Sequence, residues 1–288
     1  MFPRVSLRRM ALWLAGAVLL SGCATVERPG QSLFPGVSYV QRTEAGETPQ
    51  RIHILSVDLE AQGIAFGVTP GDPSQGMEHV ARRTSAMLAE SRAQVAINAN
   101  YFLPFKGGSK GGGDYYPHEG QPVNVSGAAL SGGQVVSPVE TDIDDRVEAM
   151  VCFAGPRVEI VDGQLCPKGF SDGVAAGPRL LTGGRIEQLP APLAPRTALG
   201  LSADRKRAWL VVVDGRQPDA VGASLPELAA LFADLGASDA LNLDGGGSST
   251  LAVEGADGKP VLLNTPVHTG IPGRERPVAN HIVLFARK

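Results

Sequence analysis

The sequence has little cysteine, no excess of basic residues and no long apolar run beyond its N-terminus. Its 288 residues include 3 cysteines, 26 basic and 29 acidic residues, with a net charge of −3. Nucleic-acid-binding proteins usually carry a basic stripe, so this balance weighs against nucleic acid as a partner. The sequence also has no His-Glu-x-x-His pattern, no P-loop and no cluster of cysteine and histidine. It therefore predicts neither a metal nor a cofactor.

The N-terminus has the features of an export signal. Three arginines precede an apolar run, Met10–Leu20, that is too short to span a bilayer as a mature helix. The run ends in Leu20-Ser21-Gly22-Cys23, which resembles the bacterial lipobox, where the cysteine thiol is acylated and becomes the new N-terminus. We therefore expect a signal peptide over residues 1–22 and lipidation of Cys23. The alternative is an ordinary signal peptide with a chance cysteine.

The predicted lipid implies a location in the cell envelope. The residue after Cys23 is Ala24 rather than an aspartate, which in Gram-negative lipoproteins resembles a signal for the outer membrane. We expect a periplasm-facing lipoprotein that contacts the membrane through its lipid alone. Residues 23–48 are rich in Gly, Pro, Ser and Thr without periodicity, which predicts a flexible tether, and a single domain would follow over residues 49–288.

The remaining cysteines, Cys152 and Cys166, form an even pair in an oxidising compartment. This favours one disulfide, which would stabilise the fold by about 3 kcal/mol through loop closure. Two unpaired buried thiols are the alternative.

One order of elements, strand–strand–helix–strand–hairpin, occurs twice along the chain. The first copy has paired strands at Arg51–Leu59 and Gln62–Val68, a helix at Met77–Ser91, a strand at Gln94–Ile97 and a hairpin at Gly127–Val136. The second has paired strands at Thr197–Ser202 and Ala208–Val213, a helix opened by the capping box Ser224-Leu225-Pro226-Glu227, a strand at Ala240–Leu243 and a hairpin at Thr250–Leu263. We expect an α+β fold of mixed or antiparallel sheets with packed helices. Its two pseudo-equivalent halves would surround a central cleft, unless the repeated order is a coincidence.

Polar side chains follow two of the predicted strands. Asn98 and Asn100 share one face, as do Asn242 and Asp244, because side chains alternate along a strand. Gly245-Gly246-Gly247-Ser248 comes next, and glycines allow consecutive N–H groups to form a concave anion site. The sequence predicts phosphate or another anion here; the alternative is a flexible glycine turn.

Three further residues extend this candidate site. Arg196 and Arg276 can each offer a planar guanidinium fork to phosphate, although Arg276 could equally be a solvated surface residue. Asp214 ends an apolar run and is either a turn carboxylate or a catalytic group. The five histidines are scattered and are expected to be solvated or structural; His118, beside Glu119, is the one to test for a pocket role.

These segments, taken in order, resemble the phosphodiester glycosidase family from about Arg51 to the C-terminus. The likeness is carried by Asn98, Arg196-Thr197-Ala198-Leu199-Gly200, Asp214-Gly215, Leu241-Asn242-Leu243-Asp244-Gly245-Gly246-Gly247-Ser248-Ser249 and Arg276-Pro277. The resemblance implies a domain with a cleft lined by these segments. It also implies hydrolysis of a sugar that is α-linked through C1 to a phosphodiester. The family's Asn-Gly-Gly-Phe is replaced by Asn98-Ala99-Asn100-Tyr101-Phe102, and a glycine-rich stretch, Lys106–Gly113, follows, which indicates a reshaped pocket rim.

The implied reaction assigns a role to each candidate. A carboxylate acts as base or nucleophile, and we expect Asp244 first and Asp214 second. Charge on the leaving phosphate would be neutralised by Arg196, Arg276 and the amides of Gly245, Gly246, Gly247 and Ser248. Contacts to the sugar would come from Asn98, Asn100 and Asn242.

Two rival functions remain in view. Gly107–Gly111 and Gly169–Gly173 both match the nucleophile-elbow pattern of serine hydrolases, but neither stands between an apolar strand and a helix. The stronger rival is a non-catalytic envelope lipoprotein that binds a glycan or sugar phosphate and serves exopolysaccharide metabolism. Both this rival and the enzyme predict a sugar-phosphate or phosphoglycan ligand, so only turnover separates them.

Overall fold

The computed structural model describes residues 25–103, 117–140 and 147–287. The predicted signal peptide, Cys23 and the glycine-rich stretch Lys106–Gly113 lie outside this part of the chain. Of the described residues, 47% lie in strands and 10% in helices. No helix among them is both long and apolar enough to cross a membrane.

The strands are numbered in chain order. The first twelve are β1 (Thr25–Glu27), β2 (Gln31–Phe34), β3 (Val37–Glu44), β4 (Gln50–Asp58), β5 (Ile64–Val68), β6 (His79–Val80), β7 (Val95–Asn98), β8 (Phe102–Leu103), β9 (Pro122–Val125), β10 (Ala129–Ser131), β11 (Gln134–Ser137) and β12 (Ala149–Ala154). The others are β13 (Arg157–Asp162), β14 (Asp172–Ala176), β15 (Arg179–Thr182), β16 (Arg185–Ile186), β17 (Arg196–Ser202), β18 (Arg207–Val213), β19 (Ala237–Asn242), β20 (Leu251–Glu254), β21 (Pro260–Leu262), β22 (Val267–His268), β23 (Ile271–Pro272) and β24 (His281–Ala286). The helices are α1 (Thr84–Ser91) and α2 (Leu225–Asp234), with short 3₁₀ turns at Pro73–Gln75 and Gly246–Ser248.

Three large antiparallel sheets build most of the domain, and β6-β9-β8 and β22-β23 form two small ones. The large sheet has the order β1-β3-β4-β18-β17-β19-β15-β16, with β2 added on β3. The second sheet is β21-β20-β7-β24-β5 and the third is β11-β10-β14-β12-β13. One apolar core joins all three, with Leu199 and Leu241 from the large sheet, Ile97 from the second and Phe153 from the third.

The two helices cover outer faces of this core. Helix α2 packs Leu228 and Phe232 on the face of the large sheet that carries Trp209 and Val211. Helix α1 packs Met87 and Leu88 on the outer face of the second sheet. The capping box predicted at Ser224 and Glu227 is present at the start of α2.

The expected α+β class is wrong, because strands dominate the described residues and only two short α-helices occur among them. The two pseudo-equivalent halves are absent from the sheet topology. β17 and β18 pair as predicted, but their expected counterparts do not: β4 pairs β3 and β18, whereas β5 pairs β24 in the second sheet. The first predicted helix is also shorter, because His79 and Val80 form β6 against β9.

The N-terminal segment differs from the predicted tether. Residues 25–44 include β1, β2 and β3, and β3 pairs β4 along eight residues from Val37 to Glu44. The domain therefore begins near Thr25 instead of residue 49, because β3 pairs with β4 in the large sheet and β1 and β2 pair with β3.

The predicted disulfide is confirmed. Cys152 on β12 bonds Cys166, with a Cα–Cα distance of 5.7 Å. The bridge packs against Gly173 of β14, where an added Cβ would lie 2.6 Å from the Cys166 sulfur. It fastens the loop after β13 to the middle of the third sheet.

Candidate active site

Three of the predicted catalytic residues meet at one edge of the large sheet. β18 and β19 both run antiparallel to β17, so their C-terminal ends lie beside the first residues of β17. Asp214 follows β18, Asp244 follows β19, and Arg196 begins β17. The sheet topology therefore brings together residues that are separated in sequence.

The turn after Asp244 is fixed by its own backbone. The Gly246 amide donates to Pro195 O at 2.8 Å, and the Ser248 amide donates to Gly245 O at 3.2 Å. A Cβ on Gly245 would lie 2.8 Å from Pro195 O, and Gly246 has φ +62°, so both positions require glycine. Because the amides of Gly246 and Ser248 donate to carbonyl groups of the protein, they are not available to a bound anion at the predicted site.

Asn98 fastens the end of β7 to this turn. Its Nδ2 donates to Asp244 O at 2.5 Å, while its Oδ1 accepts from Thr197 Oγ1 at 2.9 Å and from the Thr250 amide at 3.1 Å. The side chain is 0% exposed. Asn98 therefore cannot hold sugar hydroxyls as expected, and instead sets the backbone position of Asp244.

Asn100 and Asn242 are also structural. Asn100 Nδ2 donates to Ala175 O at 2.8 Å and its Oδ1 accepts from Asn280 at 2.8 Å. Asn242 Nδ2 donates to Tyr101 Oη at 2.9 Å and to Gly177 O at 3.0 Å. Both are buried, so the predicted contacts to substrate do not hold for either amide.

Arg276 lies against the glycine turn. Its Nη1 donates to Ser248 Oγ at 3.3 Å and its Nε donates to His268 Nδ1 at 3.2 Å. A Cβ on Gly247 would lie 2.5 Å from Arg276 Nη2, so glycine leaves the space that the guanidinium occupies. Arg276 is half-buried, which strengthens its attraction for an anion.

His268 is the neutral member of a basic cluster. Burial, together with the positive charges of Arg276, Arg274, His118 and Arg216, lowers the pKa of His268 to about 4. Its Nδ1 accepts the Arg276 hydrogen bond, so the single ring proton of the neutral form lies on Nε2. The predicted pocket residue His118 belongs to this cluster.

Sequence reasoning missed Arg216 and His268. Arg216 lies across Gly246, where an added Cβ would be 2.9 Å from its Nη2. Its position two residues after Asp214 was a usable signal. His268 gave none, because it lies in β22, and both β22 and the neighbouring β23 are short and carry no periodic pattern.

Both carboxylate oxygens of Asp214 accept hydrogen bonds from within the protein. Its Oδ2 accepts from Arg51 at 3.1 Å and from His53 Nε2 at 3.3 Å. Its Oδ1 accepts from Asn264 Nδ2 at 3.2 Å and from the Thr265 amide at 2.9 Å. Burial raises the pKa of Asp214, but the hydrogen bonds and charge of His53, with those of Thr265 and Asn264, outweigh it and hold that pKa below its usual value. At 1% exposure Asp214 has no room for a reacting water or sugar.

Arg196 supports the backbone around the site. Its Nε donates to Ala223 O at 2.9 Å and its Nη2 donates to Pro192 O at 2.6 Å. Burial lowers the pKa of Arg196, with Tyr101 acting in the opposite sense. Two of its donors are therefore committed to carbonyl groups of the backbone.

The site thus combines one half-buried carboxylate residue with a concentration of positive charge. Asp244 lies three residues before Gly247, on which the Arg276 guanidinium packs. Within residues 25–103, 117–140 and 147–287, no three His, Cys, Asp or Glu side chains gather as a metal site. The arrangement can bind an anion next to a carboxylate, as acid–base or nucleophilic chemistry at a phosphate ester of a sugar requires.

The phosphodiester glycosidase family matches residues 91–285, which is about two thirds of the chain. The protein belongs to this family. Membership of this family suggests hydrolase or glycosidase activity in general. Among curated protein sequences, none matches.

Solved structures share the fold. A Burkholderia pseudomallei protein is 15% identical with a TM-score of 0.64, over 96% of this chain and 100% of that chain. A Synechocystis protein is 19% identical with a TM-score of 0.59, over 88% of this chain and 62% of that chain. The catalytic domain of zebrafish N-acetylglucosamine-1-phosphodiester alpha-N-acetylglucosaminidase, auto-inhibited by its pro-peptide, is 20% identical with a TM-score of 0.59, over 92% of this chain and 88% of that chain.

Proposed function

We propose that the protein hydrolyses the glycosidic C1–O bond of a sugar-1-phosphodiester in the cell envelope, releasing free sugar and a phosphomonoester. The observation that carries this proposal is the position of Asp244 beside a glycine turn on which the Arg276 guanidinium is packed. The family match and the likeness to the zebrafish enzyme support the same reaction class.

The leaving phosphate needs charge neutralisation more than protonation. When the C1–O bond breaks, its electron pair stays on the phosphate oxygen, and the phosphodiester monoanion becomes a phosphomonoester with a second negative charge. Arg276 supplies a fixed positive charge, and neutral His268 supplies an N–H donor through Nε2. Their mutual hydrogen bond orients both groups before the substrate arrives, which is the condition for electrostatic stabilisation of a transition state.

Asp244 supplies the carboxylate on the sugar side. It either removes a proton from the water that attacks C1 or attacks C1 itself to form a glycosyl-enzyme. Two hydrogen bonds hold its backbone. Asn98 Nδ2 donates to the Asp244 carbonyl oxygen, and the Asp244 amide donates to Ala99 O at 2.9 Å. This support restricts the position of the carboxylate relative to the turn.

The envelope location rests on the N-terminal sequence. Lipidation of Cys23 would place the domain at the membrane surface, with β1 beginning only two residues later at Thr25. In cells labelled with a fatty acid, wild-type protein should carry label and Cys23→Ser should not. Unlabelled wild-type protein would contradict the anchoring proposal, and activity of the domain should be equal in both.

Turnover is tested with purified protein and a panel of sugar-1-phosphodiesters, following free reducing sugar and phosphomonoester together. The proposal expects both products in equal amounts. Release of sugar-1-phosphate would show phosphorus–oxygen cleavage and refute it. Binding of the whole panel without turnover would favour the non-catalytic sugar-phosphate-binding lipoprotein.

A further inference from the structure

Arg216 has a backbone conformation that L-residues rarely adopt. Its φ is +61°, in the left-handed region that favours glycine. The loop around it enforces this conformation: the Arg216 amide donates to Val221 O at 3.4 Å, and Gln217 Nε2 donates to Thr265 O at 3.3 Å. Gly215 is packed on Pro195, where a Cβ would lie 2.7 Å from the proline nitrogen. Glycine would adopt this conformation without strain, so the arginine side chain is brought to this turn at a cost in backbone energy.

The Arg216 guanidinium is available for a ligand. The residue is exposed, and within the described ranges its side chain makes no hydrogen bond or ion pair. Arg276 differs, because it is tied to His268 and Ser248. One arginine of the site is therefore fixed in place, and the other is held near it by its backbone alone.

The two guanidinium groups flank consecutive residues of one turn. Arg216 lies against Gly246 and Arg276 against Gly247, and the charges of both act on His268. The single negative charge of a phosphodiester is matched by Arg276 with the His268 donor. Arg216 places a second cation one residue along the turn from the Arg276 contact, where it can pair with the next phosphate of a substrate that carries two.

We propose that Arg216 binds the distal phosphate of a glycosyl diphosphate, with Arg276 on the phosphate attached to the sugar. The preferred substrate class is then a sugar linked through C1 to a diphosphate ester, as in nucleoside-diphosphate sugars and prenyl-diphosphate sugars. This inference rests on the proposed function for its assignment of Arg276. The bond that breaks is still C1–O, and the leaving group is the diphosphate monoester.

Anion binding tests Arg216 without requiring turnover. By calorimetry, the wild-type protein should bind inorganic pyrophosphate more tightly than inorganic phosphate. Arg216→Gly should weaken pyrophosphate binding by roughly tenfold to a hundredfold, as for a lost charge-assisted hydrogen bond, and change phosphate binding little. The melting temperature should stay equal or rise, because glycine adopts φ +61° without strain. A structural role for the Arg216 side chain would instead lower it.

Arg92→Gly is the matched control. Arg92 also has a positive φ, of 56°, and is exposed at the end of α1 on the second sheet. The substitution removes the same charge and relieves the same kind of strain, and it should leave the pyrophosphate preference unchanged. Equal loss of both anions in Arg216→Gly, or an equal loss of preference in Arg92→Gly, would overturn the proposal.

Turnover assays have two purposes. They separate the failure of this inference from the failure of the proposed function, and they distinguish the two sources of the diphosphate. The substrates are a methyl phosphodiester of a sugar, a uridine-diphosphate sugar and a short-chain prenyl-diphosphate sugar. Arg216→Gly should reduce kcat/KM for the diphosphates alone, and the faster of the two diphosphates in the wild type identifies the source. Wild-type hydrolysis of none of them, with the pyrophosphate preference intact, would refute the proposed function and leave Arg216 as a diphosphate-binding residue. Equal losses on all three would refute the diphosphate assignment alone.

Discussion

Asp214 and Asp244 follow β18 and β19, which flank the same central strand, yet their surroundings are opposite. Asp214 is 1% exposed and accepts four hydrogen bonds, from Arg51, His53, Asn264 and Thr265. Asp244 is half-buried, on the turn where the basic cluster gathers. The Asp214 carboxylate is engaged on both oxygens and stabilises the fold, whereas Asp244 lies beside a concentration of positive charge, where a carboxylate can act on a ligand. Position at a strand end is the same for both and does not distinguish them.

The largest expected effect comes from Asp244→Asn. The substitution keeps the shape of the side chain and removes its charge. It should lower kcat by about a thousandfold or more, equivalent to about 4 kcal/mol of barrier, because water or the sugar loses its only carboxylate partner in the proposed mechanism. Steady-state kinetics and a thermal melt measure the two properties. Retention of more than a tenth of the activity in a folded variant would break the comparison.

Asp214→Asn should act on stability instead. The amide would turn an N–H₂ group toward donors that now face a carboxylate, so the free energy of unfolding should fall by about 3 kcal/mol. Activity per folded molecule should stay within about tenfold of wild type. Denaturant titration at neutral pH measures the loss. An inactive but fully stable Asp214→Asn would reverse the roles of the two carboxylates.

Two buried histidines set the pH range in which these variants can be compared. Burial lowers the pKa of His79 to about 4; Arg82 lowers it further and Asp72 acts in the opposite sense. Burial lowers the pKa of His281 to about 3, and His79 lowers it further. The unfolded value is 6.5, so the stability of the neutral pair is complete above pH 6.5 and is lost as pH falls from 6.5 toward 4 and 3. Between pH 7.5 and 5.5 these two histidines should lower the free energy of unfolding by about 3 kcal/mol. Constant stability over this range would show that the pair does not titrate as buried neutral histidines.

Arg196→Lys should give the smallest effect. The lysine cannot reproduce both hydrogen bonds to Ala223 O and Pro192 O, so the free energy of unfolding should fall by about 1 kcal/mol. The KM for a phosphodiester should be unchanged, since this guanidinium is committed to the backbone. A tenfold rise in KM without loss of stability would return Arg196 to the list of phosphate-binding residues.

Local patterns were sufficient for some of these features. The capping box of α2, the β17–β18 hairpin and the turn after Asp244 each depend on a few consecutive residues, and all were predictable. The disulfide followed from an even count of cysteines.

Other features depend on partners that sequence patterns do not name. β4 and β5 are adjacent in the chain but join different sheets, because their hydrogen-bonding partners β18 and β24 lie far away in sequence. The burial of Asn98 and Asp214 likewise depends on Thr197, Thr250, Asn264 and Thr265, which arrive from other strands. Arg216 and His268 reach the turn from irregular loops, where no periodicity marks a side chain for one face.

The most direct test of the account is the position of bond cleavage. A sugar-1-phosphodiester is hydrolysed by the wild-type protein in water enriched in oxygen-18, and the phosphorus-containing product is examined by mass spectrometry. The account predicts a phosphomonoester without label, since water attacks C1 and the bridging oxygen leaves with the phosphate. One labelled oxygen in the phosphorus-containing product would mean that water attacked phosphorus, and would contradict glycosidase chemistry at Asp244.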